Sequence, residues 1–356
     1  MKRRHFITTG IVATGSIALA GRGGAAVEPI PTEERPRYAD WIPATGYNDS
    51  DVGVFFAHFD WETPTDAEGV DSEDIDQDDD GFRDPDVEPI IESYPILELP
   101  LFGSSIAPAA LFGILPYPFS EDVLPDGPPA EGVATTGMTW IDDVVVFHGE
   151  YDPEIFAEWY AEEFERTDER EGFDVYVGDD EDAENLAYAV SEEALVVGLH
   201  LEDDDNTAEE PVTHLLDTYL GETERVIDDE DGAWLFETTG EASIAFGTWG
   251  VPDPEDALDP DDDEVVADVG EPEAEPDVET NPVFDGVESL VNTVSFGTDD
   301  DPDGLEARYA GLYPEDSVPT EGDVRRHLVG GAFVPHDLAV EGNRVYARVT
   351  FEDEPV

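Results

Sequence analysis

The sequence predicts an α+β fold, antiparallel β-sheet with helices packed on one face and long acidic loops between the elements. Three observations predict it. Runs of β-branched and aromatic residues recur between turn-forming acidic segments, as strands do in a meander. Separate stretches place apolar residues at helical spacing behind capping residues. Of 356 residues, 40% are hydrophobic and 10% aromatic, enough to bury a core, so the net charge of −76 does not signify a chain disordered throughout.

The elements follow in chain order. "MKRRHFITTGIVATGSIALAGRGG" opens with a basic segment (Lys2, Arg3, Arg4), continues with a short apolar run, and ends in small residues at Ala18-Leu19-Ala20 and Gly24-Ala25-Ala26. That order is the order of a signal peptide, expected to span 1–26. A tether, Pro- and charge-rich over its first part, is expected over 27–50. "DVGVFFAHFDWE" (51–62) is the first strong strand. After an acidic loop comes the apolar "PILELPLFGSSIAPAALFGILPYPF" (95–119), broken by Pro100, Pro108, Pro116 and Pro118. A short helix capped by Ser104 or Ser105 is expected there, not a membrane span. "WIDDVVVFHGEYD" (140–152) reads as a strand. Asp152-Pro153-Glu154 then caps a helix with Ile155, Phe156, Trp159, Tyr160 and Phe164 on one side.

"FDVYVG" (173–178), "NLAYAVS" (185–191) and "ALVVGLHL" (194–201) form an expected meander. A helix follows over 209–220, ended by Gly221, then a short one over 230–238 and a strand over 242–250. These complete a main domain, 51–250. Residues 251–282, rich in Pro, Asp and Glu, are an expected linker or loop. The C-terminal part, 283–356, carries strands at 289–297 and 304–313, a helix near 321–329 and a hairpin turning at Glu341-Gly342-Asn343. It is expected to join the same sheet or form a small second lobe. The strand–helix–strand order of 140–178 recurs loosely in 304–351.

The chain holds 91 acidic and 15 basic residues and no cysteine. Cleavage after Ala26 would remove Lys2, Arg3, Arg4 and Arg22 and no acid, leaving 11 basic residues and a net charge of −80. Such a chain repels itself in dilute buffer, whereas at molar salt the Debye length falls to about 3 Å. Acidity of this kind reads as adaptation to a hypersaline medium. With so few basic residues the composition argues against nucleic acid as a partner. Absence of cysteine excludes disulfides, thiol catalysis and a lipid on cysteine.

Arg3-Arg4-His5-Phe6-Ile7 resembles a twin-arginine export signal. "YADWIPA" (38–44) leading to "GVFFAHFDWE" (53–62), the 95–119 block and "AVSEEALVVG" (189–198) resemble a group of exported, salt-adapted haloarchaeal proteins to which no activity is attached. Members of that group are lipoprotein-like. Here Leu19-Ala20-Gly21 runs into Arg22, where their lipidated cysteine would stand. The resemblance implies an exported, secreted or surface-associated protein and supplies no site residues.

Two patterns carry chemistry. In "DQDDDGFRDPDVE", Asp76, Asp78, Asp80, the carbonyl of Phe82 and Asp84 occupy positions 1, 3, 5, 7 and 9 of a calcium loop, with Gly81 at the turn. Position 12 is Val87, and Glu88 follows one residue late. A weak Ca²⁺ site is the candidate cofactor; the competing reading is one acidic loop among many. Second, three strands end alike, in His58-x-Asp60, His148-x-Glu150 and His200-x-Glu202. Period-two geometry puts each histidine on the same face as its acid. Three functions follow: a non-enzymatic protein binding a partner or supporting the envelope; a carrier or sensor of a hydrophobic ligand, using the 95–119 block; or a metal-dependent hydrolase, should the histidine-acid strand ends meet. No known catalytic motif is present, which favours the first.

Overall fold

The computed structural model describes residues 35–46, 53–60, 95–97, 100, 132–161, 163–178, 185–199, 207–250, 281–284, 286–296, 304–330 and 336–351. All fall within a unit spanning Pro31–Val356. They build one antiparallel sheet of twelve strands. In chain order these are β1 (Val54–Asp60), β2 (Val133–Ile141), β3 (Val144–Tyr151), β4 (Phe164–Arg170), β5 (Phe173–Gly178), β6 (Leu186–Val190), β7 (Ala194–Leu199), β8 (Ile244–Trp249), β9 (Ser289–Phe296), β10 (Leu305–Leu312), β11 (His336–Glu341) and β12 (Arg344–Phe351). Across the sheet they run β11-β12-β10-β9-β8-β1-β2-β3-β7-β6-β5-β4. The helices are α1 (Pro153–Trp159), α2 (Glu209–Tyr219), α3 (Glu230–Thr239) and α4 (Glu321–Val324).

The order contains the same connection twice. β1, β2 and β3 form a meander; α1 leads away; the later strands return until β7 pairs with β3. β8, β9 and β10 form a second meander; α4 leads away; the β11–β12 hairpin returns and β12 pairs with β10. The first strands of the two meanders, β1 and β8, pair with each other at the centre. The strand–helix–strand recurrence read from the sequence is β3–α1–β4 and β10–α4–β11.

Alternation sorts the side chains between two faces. One face carries Val54, Phe56, His58 and Asp60 of β1 and is covered by α2 and α3. Gly198 of β7 lies under Val212 of α2, and a Cβ there would approach that valine's methyl to 2.5 Å. Phe236 of α3 lies 5.5 Å from Phe56. The other face holds the main apolar cluster, including Phe59, Phe147, Tyr188, Val197, Phe246, Leu290 and Tyr309. Phe156 of α1 and Val324 of α4 are buried in that cluster. The one-face expectation thus describes the two longer helices, while the two short crossover helices pack on the opposite side. Among the described residues no helix is long and apolar enough to cross a membrane.

Local chemistry sets the boundaries. The Asp152 carboxylate accepts from Glu154 N at 3.0 Å and Pro153 sits in the first turn, which starts α1. α1 ends at Trp159, so Phe164, expected on its inner side, instead begins β4. That strand, FERTDER, exposes five consecutive polar residues at the sheet edge, the charge that guards an open edge. The run 140–152 is not one strand. β2 ends at Ile141, and the chain turns through Asp142 (φ 46°) and Asp143 into β3. Asp229 caps α3, accepting from Asp231 N at 2.8 Å. Gly221 and Gly342 turn with φ 77° and 65°, where a side chain would be strained. Of the 95–119 block, Ile96 and Leu97 are buried in the core; the helix expected after Ser104 lies outside the described residues.

Candidate functional site

Sheet pairing brings two of the three sequence-marked histidines together. His58 on β1 stands opposite Thr139 on β2, and His148 on β3 stands opposite Gly137. Gly137 has no side chain, so the His148 ring leans along the sheet towards Thr139. Glycine is demanded there in any case, since a Cβ would meet the Phe59 carbonyl at 2.6 Å. His58 Nδ1 lies 2.9 Å from Thr139 Oγ1 and His148 Nε2 lies 2.7 Å from the same oxygen. The rings are 5.7 Å apart.

The hydroxyl has one proton. It donates to one ring nitrogen and accepts an N–H from the other, which satisfies the facing nitrogen of each ring in its neutral form. Burial holds them there. It drives the His58 ring well below the usual histidine range, with the nearby His148 acting in the same direction and a backbone contact to Met138 opposing. Burial likewise pushes His148 down to about 4. The pair is therefore uncharged at neutral pH, a bridge of the form imidazole–hydroxyl–imidazole.

A strap roofs it. The 3-10 turn Arg37–Trp41 crosses this face between α2 and α3. Tyr38 stacks on His58 with centroids 4.2 Å apart, and Trp41 meets His148 edge-on at 6.4 Å. Trp41 stacks on Tyr219 of α2, and Tyr38 meets Phe236 of α3. The strap's rim is polar. Pro43 bridges to Arg225, Val226 N donates to the Ile42 carbonyl at 3.0 Å, and Arg225 reaches Asp40 at 3.2 Å. Arg37 N donates to the Glu241 carboxylate at 2.9 Å. The Tyr38 hydroxyl is buried and has no hydrogen-bond partner among the described residues. Burial, with the Glu241 charge adding, holds that phenol well above its usual range.

A second polar cluster lies on the same face, further across the sheet. Glu306 of β10 is buried at 3% exposure and accepts from Arg308 Nε at 2.6 Å and from Arg348 Nε at 2.7 Å. Arg308 also donates to the Thr239 carbonyl at the end of α3. The carboxylate is saturated, and the cluster ties β10, β12 and α3 together.

The calcium-loop residues Asp76, Asp78, Asp80, Phe82 and Asp84 lie outside the described residues, as do His200 and Glu202. Among the described residues no group of three His, Asp or Glu side chains is placed to hold a metal ion. Glu150, two residues beyond His148 on β3, is exposed. Sequence reasoning missed Thr139 and Tyr38, although Tyr38 and Trp41 stand in the "YADWIPA" run noted for its resemblance. No protein-family model, curated protein or solved structure matches the chain.

Proposed function

We propose that this chain is an exported, salt-adapted extracytoplasmic protein with a non-enzymatic binding or envelope role. The signal-like first 26 residues and the charge of −76 support export into brine. The observation that carries the non-enzymatic reading is the engagement of the histidine pair. Both nitrogens that face each other are taken up by one hydroxyl, beneath a stacked tyrosine. A general base needs a free nitrogen within reach of a substrate proton; here the facing nitrogen of each ring is taken by Thr139, and Tyr38 and Trp41 cover the rings. The partner is a protein or a hydrophobic ligand. Burial of Ile96 and Leu97 supports a core role for the start of the apolar block over a ligand-facing one.

The test is native mass spectrometry of protein purified from a salt-adapted expression host. A mature N-terminus between Gly21 and Val27, with no stoichiometric zinc, is expected. Stoichiometric zinc lost on replacing His58 or His148 would overturn the reading. Calcium at the Asp76–Asp84 loop belongs to the same proposal. Without a glutamate at position 12 its affinity should be weak, of the order 10⁻⁴–10⁻³ M found in extracellular modules. Calorimetric titration at molar KCl should show a saturable event that Asp78→Asn abolishes. Equal heats from the two proteins would remove calcium from the proposal.

A further inference from the structure

Two neutral histidines share one hydroxyl proton beneath a strap held on by aromatic stacking and a polar rim. We propose that the segment 35–45 is an acid-released strap, closed over the His58–Thr139–His148 bridge at neutral pH and lifted from the sheet when the bridge takes up protons, while the sheet itself stays folded.

The hydrogen-bond count makes the bridge sensitive. The first added proton keeps both hydrogen bonds, a charged ring donating to Thr139 Oγ1 and the hydroxyl proton turning to the other ring, but it sets a charge where burial disfavours one. A second proton costs more: both rings would then donate to the two lone pairs of one oxygen, the hydroxyl proton would lose its acceptor in the bridge, and two positive charges would face each other with centroids 5.7 Å apart. The immediate surroundings do not compensate. From the strap the pair sees Tyr38 and Trp41; Trp41 in turn rests on Tyr219 of α2, and Tyr38 on Phe236 of α3.

The charged groups of the neighbouring elements stand further out. On β1, Asp60 shares the face two residues beyond His58, and on β3 Glu150 is exposed two residues beyond His148. Glu193, before β7, and Asp40, on the strap, both act on Tyr219, and on α2 the His214 Nε2 lies 3.2 Å from the Thr45 carbonyl of the strap, a contact an N–H there makes whether or not the ring is charged. Asp40 is itself held by Arg35 and Arg225, and Glu241 accepts from Arg37 N beside Tyr38. Lifting the strap would hydrate both rings and return them to an ordinary pKa near 6.5. It would also release the Tyr38 hydroxyl to water from a site without a partner among the described residues.

The sign follows. A ring whose pKa is depressed when covered favours the uncovered state as pH falls, starting at the ordinary value near 6.5 and ending at the depressed one. At pH 5.5 each ring contributes about tenfold towards opening and the two together about a hundredfold. The general charge works the other way. Acid neutralises carboxylates and relieves the self-repulsion of a chain carrying 91 of them. Release of the strap is thus separable from acid unfolding, and at molar salt the buried charges are screened much less than the exposed ones.

The chain has no cysteine, so a single one reports without background. Ala39, fully buried in the strap, is replaced in Ala39→Cys and labelled with 4,4′-dithiodipyridine in molar KCl. Rates are taken relative to a short cysteine peptide, with far-UV circular dichroism recorded alongside. Labelling should accelerate about a hundredfold from pH 7.5 to pH 5.5 with an unchanged spectrum. His148→Gln should reduce the acceleration to about tenfold, and His58→Gln with His148→Gln should abolish it. A rate independent of pH, or the full acceleration persisting in His148→Gln, overturns the proposal. Should Ala39→Cys or the double variant misfold, amide exchange over 37–42 in the unsubstituted protein and in His148→Gln decides on the same two ratios.

Discussion

A single hydroxyl proton lies between His58 and His148, and the ring that receives it fixes both tautomers. Thr139→Val keeps the shape and removes the proton, leaving two buried ring nitrogens against a methyl group. It should cost about 1–3 kcal/mol, whereas Thr139→Ser, which keeps the hydroxyl, should cost under about 1 kcal/mol. Urea unfolding in molar KCl at neutral pH measures both; equal losses would mean that the bridge contributes nothing beyond packing. Tyr38 makes the opposite case. Its ring stacks on His58, but its hydroxyl is buried without a partner among the described residues. Tyr38→Phe keeps the stack and removes the desolvated group, so the variant should be as stable as the parent or about 1–2 kcal/mol more stable. Destabilisation by that amount would reveal a hydrogen bond to the hydroxyl in solution.

The hairpin between β2 and β3 shows what an element can ask of its turn. Asp142 sits at φ 46°, in the left-handed region that Asn and Asp tolerate best. Its carboxylate accepts from Phe55 N at 3.1 Å, stitching β1 to the hairpin. Burial raises its pKa to about 7, with the Phe55 amide opposing and Asp143 adding. A carboxyl raised in the folded state costs stability progressively as pH rises from its ordinary value near 3.8, and the loss is complete above about 7. Asp142→Asn keeps the acceptor oxygen and the turn preference. It should be stabilising, by about 1 kcal/mol more at pH 8 than at pH 6. Thermal melts at the two pH values check this, and a pH-independent difference would place the carboxyl in water.

Elements with a strong apolar signature were legible in the sequence: β1, the β5–β7 meander, α2, α3 and the C-terminal hairpin lie close to where their residues placed them. β4 was not, because its residues are charged and an edge strand needs no apolar alternation. Nor was the β2–β3 division, because Ile141-Asp142-Asp143-Val144 lacks the glycine that usually announces a two-residue turn. At the site, the strand-end histidines could be marked but not joined. The joining residue, Thr139, is an unremarkable β-former until pairing sets it opposite His58.

Taken whole, the molecule separates its charges from its core. Among the described residues the buried interior is apolar or hydroxyl-bearing apart from His58, Asn292 and the Glu306 cluster, and β4 at the sheet edge exposes Glu165, Asp168 and Glu169. Self-repulsion therefore acts on a sheet with a substantial core. Lowering salt to about 10 mM, where the Debye length reaches about 30 Å, should loosen or unfold it, and molar KCl should restore a cooperative melt. A circular dichroism series across salt tests this; a native spectrum retained at the low end would show that the core outweighs the charge.

The seam where β1 meets β8 sets a clock on the ribosome. Val54 pairs with Trp249, so the middle of the sheet joins one of its earliest strands to one made 195 residues later. At about 5–20 residues per second, synthesis takes some 10–40 s to cover that stretch. Once β2 has followed, β1, with Phe55, Phe56 and Phe59, has it on one flank and an empty place on the other. The second meander, β8 to β10, emerges afterwards and fills it. Anything that moves this protein in its native shape must wait for that late strand, and a chain released before residue 249 would carry an open, aromatic centre rather than half a protein.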